Sequence, residues 1–83
     1  MKVRLKFIKH SIDDYSMEYD TKRIGREYYV DKIIMNMPVV MVCEDEDYGG
    51  FVTTRLQRRR TKNNILELTT ANSTYVLEVL EEW

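Results

Sequence analysis

Short runs of strand-forming residues, separated by turn-forming residues, recur along the whole chain and leave little room for other elements. In the first run, the apolar residues Val3, Leu5 and Phe7 alternate with lysine and arginine. Successive side chains of a strand point to opposite faces of a sheet, so this alternation predicts a strand with one apolar and one cationic face. Runs of β-branched and aromatic residues between turn signals predict five further strands, at about 27–35, 39–44, 51–59, 65–70 and 74–80.

Six short strands joined by turns predict an all-β fold, a small barrel or sandwich of about six strands, with an SH3-like or related barrel preferred. Residues 11–24 mix turn and cap types with scattered apolar residues, which predicts a short helix or a loop. With 83 residues, of which 43% are hydrophobic and 33% charged, the chain has the size and composition of one globular domain spanning 1–83.

The stretch 33–43 contains no charged residue in a chain that is one-third charged. This predicts that the hairpin over 33–43, with a tight connection at Asn36-Met37-Pro38, is the most buried element and the centre of the core. Cys43, the single cysteine, ends the stretch and is predicted to be a buried, unreactive thiol.

The last 30 or so residues carry a pattern of their own. Thr53-Thr54-Arg55-Leu56 is followed by a basic stretch and then by Leu66-Glu67-Leu68-Thr69-Thr70-Ala71-Asn72-Ser73-Thr74-Tyr75-Val76-Leu77. The pattern resembles small uncharacterised β-rich proteins of bacteriophages and mobile elements. The resemblance implies a β-barrel and a phage-type context, and it assigns no catalytic or binding residue.

Charge is arranged in blocks although the net charge is only −1. The most basic block contains Arg55, Arg58, Arg59, Arg60 and Lys62. Guanidinium groups match phosphate oxygens, so this block is a candidate site for phosphate or nucleic acid, together with the neighbouring threonine hydroxyls. The preferred interpretation is that these arginines pair with glutamates of the C-terminal segment across a hairpin, because dedicated nucleic-acid-binding domains are usually strongly basic.

An acidic block and several tyrosines form the second candidate site. Clustered carboxylates can steer a basic partner, and tyrosines supply rigid contact area with a polar tip, so both favour a protein interface. The residues predicted to bind a partner are Glu44, Asp45, Glu46, Asp47, Tyr48, Tyr15 and Tyr19. Taken alone, the acidic run is more typical of a solvated loop, and a metal site is disfavoured because consecutive carboxylates do not match a calcium-binding loop.

Catalysis has little support in the sequence. His10 is the single histidine, Cys43 has no evident partner, and three glycines provide no phosphate-binding loop. We therefore predict that the protein is not an enzyme and has no catalytic residues, cofactor or metal. No apolar run approaches the ~20 residues of a membrane span, and the expected location is the cytoplasm, without a membrane partner.

Three functions agree with these features. The first is a non-enzymatic protein-binding module, in the phage-type context an inhibitor or regulator of a host protein or defence system. The second is a nucleic-acid or nucleotide-binding barrel that uses the basic block. The third is a self-assembling structural subunit, because an exposed edge strand could pair with another copy in a homo-oligomer.

Overall fold

The computed structural model describes residues 1–10, 23–43 and 50–82, and these contain six strands. The strands are β1 (Lys2–His10), β2 (Glu27–Val30), β3 (Pro38–Val42), β4 (Phe51–Lys62), β5 (Ile65–Thr70) and β6 (Ser73–Glu81). The prediction of an all-β domain is confirmed. The predicted strand over 27–35 is shorter than expected, because residues 31–34 leave the sheet after Val30. Most of 11–24, where a short helix or loop was predicted, lies outside the described residues.

Each strand runs antiparallel to the next, and β6 pairs with β1, which closes the sheet into a barrel. The strands therefore follow one another around the barrel in chain order, an up-and-down arrangement. Among the described residues, every strand has a neighbour on both sides over at least part of its length, so no complete strand is left as a free edge. Strands β1 and β4 lie three positions apart, on opposite sides of the barrel.

The core is built from alternate residues of every strand. Twelve buried side chains form one cluster: Val3, Leu5, Ile8, Tyr28, Val30, Val39, Met41, Leu56, Leu66, Leu68, Tyr75 and Leu77. Tyr28 packs edge to face against Phe51, with ring centroids 5.2 Å apart. Since a barrel has one interior, half of each strand's side chains must face outward whatever their chemistry.

A break in the alternation of β1 corrects one prediction. Val3 and Leu5 are buried as expected, but Phe7 is 54% exposed and Ile8 is buried instead. The pairing of β1 with β6 shifts by one residue between Leu5 and Phe7. Such a bulge moves every later side chain to the other face, which a simple period of two cannot foresee.

The turns follow the turn residues of the sequence. Asn63 has a φ of 56° in the turn between β4 and β5, and Asn36 has a φ of 68° before β3. Gly50, just before β4, has a φ of 92°, and a Cβ there would collide with the carbonyl oxygen of Met41. Asparagine and glycine adopt these left-handed conformations most readily, so the two asparagines and Gly50 determine where the strands reverse.

Candidate functional site

The acidic site predicted from the sequence lies outside the described residues. Glu44, Asp45, Glu46, Asp47 and Tyr48 belong to the segment between β3 and β4, and Tyr15 and Tyr19 belong to the segment between β1 and β2. Their role as a partner-binding surface stays a prediction.

The uncharged stretch 33–43 has one buried face and one exposed face, so the prediction that it is the most buried element is wrong. In β3, Val39 and Met41 are at most 1% exposed, whereas Val40 and Val42 are 51% and 47% exposed. A strand that is apolar on both faces is buried on both only where a second layer covers it. In the described part of the barrel, nothing covers the outer face of β3.

The exposed apolar side chains are contiguous. Val52 of β4, which is 62% exposed, lies beside Val40 in the pairing of the two strands. A groove of about 430 Å³ runs along the outer side of β3 and the segment that precedes it. We call the following residues the apolar stripe: Ile34, Met37, Pro38, Val40, Val42 and Val52.

Backbone hydrogen bonds hold the apolar stripe in place. The amide of Asn36 donates to the carbonyl of Leu56 at 2.8 Å, and the amide of Leu56 donates to the carbonyl of Met37 at 3.0 Å. Two residues beyond Met37, the amide of Val39 donates to Oγ1 of Thr53 at 2.9 Å. The turn that carries the stripe is thereby attached to β4, so its side chains are presented on a fixed backbone.

The predicted basic site divides between two faces of β4. Arg58, Arg60 and Lys62 pair with the outward-facing Thr69, Glu67 and Ile65 of β5. Residues directly opposite each other in antiparallel strands share a face. These three cations, which we call the cationic row, therefore follow one another along the outer surface at about 6.7 Å intervals, two residues apart in an extended strand.

Arg59 faces the other way. It pairs with Leu68, which is buried, and so belongs to the inner face of the sheet. Beyond the end of the core this face opens into a cavity of about 320 Å³, lined by Met1, Val30, Asp31, Ile33, Arg59 and Glu82. A continuous contact of the Arg58-Arg59-Arg60 run with one ligand surface is therefore not supported.

Among the described residues, ion pairs form on β1, at Lys2 and Arg4, and not on β4. Arg4 lies 3.4 Å from Glu78 and 3.8 Å from Glu27, and Lys2 lies 3.4 Å from Glu27. The hydrogen bond to Glu27 raises the pKa of Lys2. Among the described residues, no carboxylate forms an ion pair with the cationic row, so the predicted pairing across the hairpin is not found.

The threonine hydroxyls proposed as helpers of phosphate binding have structural roles. Oγ1 of Thr53 donates to the Thr54 carbonyl at 2.7 Å, and Oγ1 of Thr54 donates to Oγ1 of Thr70 at 2.9 Å. Thr70 in turn donates to the carbonyl of Ser73 and accepts from its amide. Thr53 and Thr70 are at most 5% exposed, so their hydroxyls are not open to a ligand. Thr54 is exposed, but its hydroxyl is engaged by Thr70.

A contact between His10 and Ser73 could not be read from the sequence, since the residues are 63 positions apart. Nδ1 of His10 lies 2.6 Å from Oγ of Ser73, a distance typical of a base and a nucleophile. Ser73, however, is only 3% exposed. His10 and Ser73 lie opposite each other in the pairing of β1 with β6. We therefore interpret the contact as a hydrogen bond that stabilises the pairing of these two strand ends.

The described residues lack the features of two other kinds of protein. They contain no cluster of three or more histidine, cysteine, aspartate or glutamate side chains that could hold a metal ion. Within the same residues, no helix is long and apolar enough to cross a membrane. Cys43 is half-buried and packs against the core.

Fold and surface together define a class: a small up-and-down β-barrel with an apolar outer stripe and a row of cations that forms no ion pair with the described residues. Compared with protein-family models, with curated proteins and with solved structures, the chain matches none of them.

Proposed function

We propose that the barrel is a non-enzymatic protein-binding module and that the apolar stripe is its main contact surface. The observation that carries the proposal is the exposure of Val40, Val42 and Val52, each between 47% and 62%, side by side on adjacent strands. Contiguous exposed apolar surface in a small domain marks a site of interaction, whereas scattered apolar residues do not.

The chemistry of the partner follows from the surroundings of the stripe. Arg55 is opposite Pro38 in the pairing of β3 and β4, so a cation of β4 adjoins the apolar stripe. A partner that presents apolar side chains flanked by carboxylates would complement both regions. The acidic segment 44–47 and Tyr15, Tyr19 and Tyr48 are proposed as a second contact region, for a basic part of a partner.

The biological setting is part of the same proposal. The resemblance of the C-terminal pattern to phage and mobile-element proteins supports an inhibitor or regulator of a host protein or defence system, acting in the cytoplasm. Homo-oligomerisation is an alternative, in which a second copy of the chain covers the apolar stripe.

Nucleic-acid binding is the second candidate function, and the cationic row favours it. Three cations at regular intervals, without carboxylate partners among the described residues, could follow a phosphate backbone. Two observations weigh against it: the threonine hydroxyls are engaged within the barrel, and the row contains no aromatic side chain on which a base could stack.

Affinity capture with matched variants tests the proposal. We expect the wild-type chain to retain a discrete host protein after nuclease treatment, and Val40→Ser combined with Val42→Ser to lose it with folding unchanged. Phe7→Ser is the control, because Phe7 is 54% exposed on β1, away from the stripe. Retention by the double variant, or capture that nuclease abolishes, would contradict the proposal.

A further inference from the structure

One side of β4 is only partly paired. On the side of β5, β4 is paired as far as Lys62. On the side of β3, strand pairing ends at Arg55, and hydrogen bonds from the preceding turn extend it by one residue, to Leu56. Among the described residues, none pairs with 57–62 on this side.

The unpaired stretch is held in strand conformation by its other neighbour. Leu66 and Leu68 of β5 lie opposite Thr61 and Arg59, and both leucines are at most 1% exposed in the core. The backbone of 57–62 therefore does not need to be ordered by a ligand. An ordered strand with one unpaired side is a template on which another extended segment can pair.

The side chains of 57–62 determine which kind of extended segment could pair with this stretch. Arginine and lysine on an open strand usually prevent pairing with neutral strands, because burial of their charges is unfavourable. Carboxylates at alternate positions of an added strand would remove that obstacle, since they would lie on the same face as the cationic row.

The molecule itself shows this arrangement in β1. Arg4 of β1 lies directly opposite Glu27 of β2 and Glu78 of β6, and it forms ion pairs with both carboxylates. The cationic row has a paired strand, β5, on one side only. This strand places Glu67 opposite Arg60, but the two side chains form no ion pair.

We propose that residues 57–62 of β4 accept an extended acidic segment of the partner as an added strand, with carboxylates at every second position facing Arg58, Arg60 and Lys62. This inference rests on the proposed function and specifies how the partner is recognised. Residues next to that segment would reach the apolar stripe, because Arg55 lies between the stripe and the cationic row.

Synthetic peptides can separate strand addition from attraction between charges. The probe is a ten-residue peptide that alternates Glu and Thr, compared with the same peptide N-methylated at alternate residues, which keeps the charge but removes backbone donors. We expect the first peptide to bind the full chain and to slow amide hydrogen exchange within 57–62. The N-methylated peptide should bind about tenfold more weakly, as several backbone hydrogen bonds are lost.

Variants of the chain complete the test. Combined replacement of Arg58, Arg60 and Lys62 by Gln should weaken binding about tenfold, as expected for three exposed ion pairs. Lys6→Gln with Lys9→Gln, two exposed cations of β1, should leave the affinity unchanged. Equal affinity of the two peptides, unchanged exchange at 57–62, or an oligonucleotide that protects these amides better than the peptide would overturn the inference.

Capture of the host partner distinguishes the two proposals. If the Gln variant of the cationic row still retains the protein that the Val40→Ser, Val42→Ser chain loses, strand addition is wrong and the protein-binding proposal stands. If both variants retain the captured protein, the apolar stripe is not the protein-binding surface.

Discussion

Strands β1 and β4 are the two basic strands of the barrel, and they differ in what surrounds their charges. β1 lies between β2 and β6, which place Glu27 and Glu78 against its cations. β4 lies between the uncharged β3 and the threonine-rich β5, and the described residues leave its cationic row without an ion pair. Similar charge therefore has different consequences: in β1 it connects neighbouring strands, and in β4 it remains available to a partner.

This difference matters for how basic strands are interpreted. A strand that repeats Lys and Arg at alternate positions only predicts a cationic face. Whether that face is a binding surface depends on the residues opposite it, which come from distant parts of the chain. In this barrel the register places a carboxylate opposite a cation of each basic strand, but among the described residues ion pairs form only on β1.

The largest effect is expected inside β4. Leu56 is fully buried in the middle of the strand, so Leu56→Ala should lower the free energy of unfolding by about 2–5 kcal/mol through lost burial and a residual cavity. Arg60→Ala, on the outer face, should change it by less than about 0.5 kcal/mol. Urea denaturation measures both, and a comparable loss for Arg60→Ala would show that the cationic row has a structural role.

The hydroxyl of Thr70 should have the next largest effect. Thr70→Val removes the acceptor for the Thr54 hydroxyl and the Ser73 amide and should cost about 1–3 kcal/mol. Thr69→Val, which loses a single contact of 3.4 Å with Thr74, is the matched control and should cost less. If the two variants were equally stable in denaturation, the threonines near β4 would be free for ligand binding after all.

Two glutamates test the contrast between the strands directly. Glu78→Gln breaks the ion pair with Arg4 and should cost up to about 1 kcal/mol, less at high salt. Glu67→Gln, next to the cationic row but without an ion pair to it, should be close to neutral. Thermal unfolding at low and high salt measures both changes. An equal, salt-dependent loss in the Glu67 variant would mean that β4 is neutralised in solution as β1 is.

The smallest effect concerns alkaline pH and the side of the barrel formed by β1 and β2. Burial, followed by the charge of Cys43, raises the pKa of Tyr28 above its ordinary value of 10.0. A raised pKa in the folded state means that stability is retained below about pH 10 and lost as the pH rises further, because the unfolded chain releases the proton first. The pKa of Lys2 is also raised, so its contribution is lost in the same direction.

We therefore expect the thermal unfolding temperature of the wild-type protein to decrease as the pH is raised from 9 to 11. The decrease should be smaller in Tyr28→Phe. The other five tyrosines are common to both proteins and serve as an internal control. An identical decrease in the variant would show that groups other than Tyr28 cause the loss of stability at alkaline pH.

Much of the fold could be predicted because strand patterns are local. The bounds of β5 were predicted to the residue, and those of β6 to within one residue at each end, since turn residues flank both strands. The all-β class follows from the same local signals.

The candidate site was less accessible to prediction. The stretch 33–43 was assigned to the core because it lacks charge, yet a small barrel has only one interior, and the outer half of an apolar strand must remain exposed. That argument could have identified Val40 and Val42 from the sequence. The bulge that exposes Phe7 and the pairing of His10 with Ser73 had no comparable signal.

The sequence by itself determined the alternation of side chains, the positions of the turns and therefore six strands of a β domain, because each of these depends on residues close together in the chain. The tertiary structure alone decided that β1 pairs with β6, which cations met carboxylates and which apolar face is exposed among the described residues. These outcomes depend on the order and register of strands that are far apart in sequence, where a shift of one residue reverses every side chain that follows it.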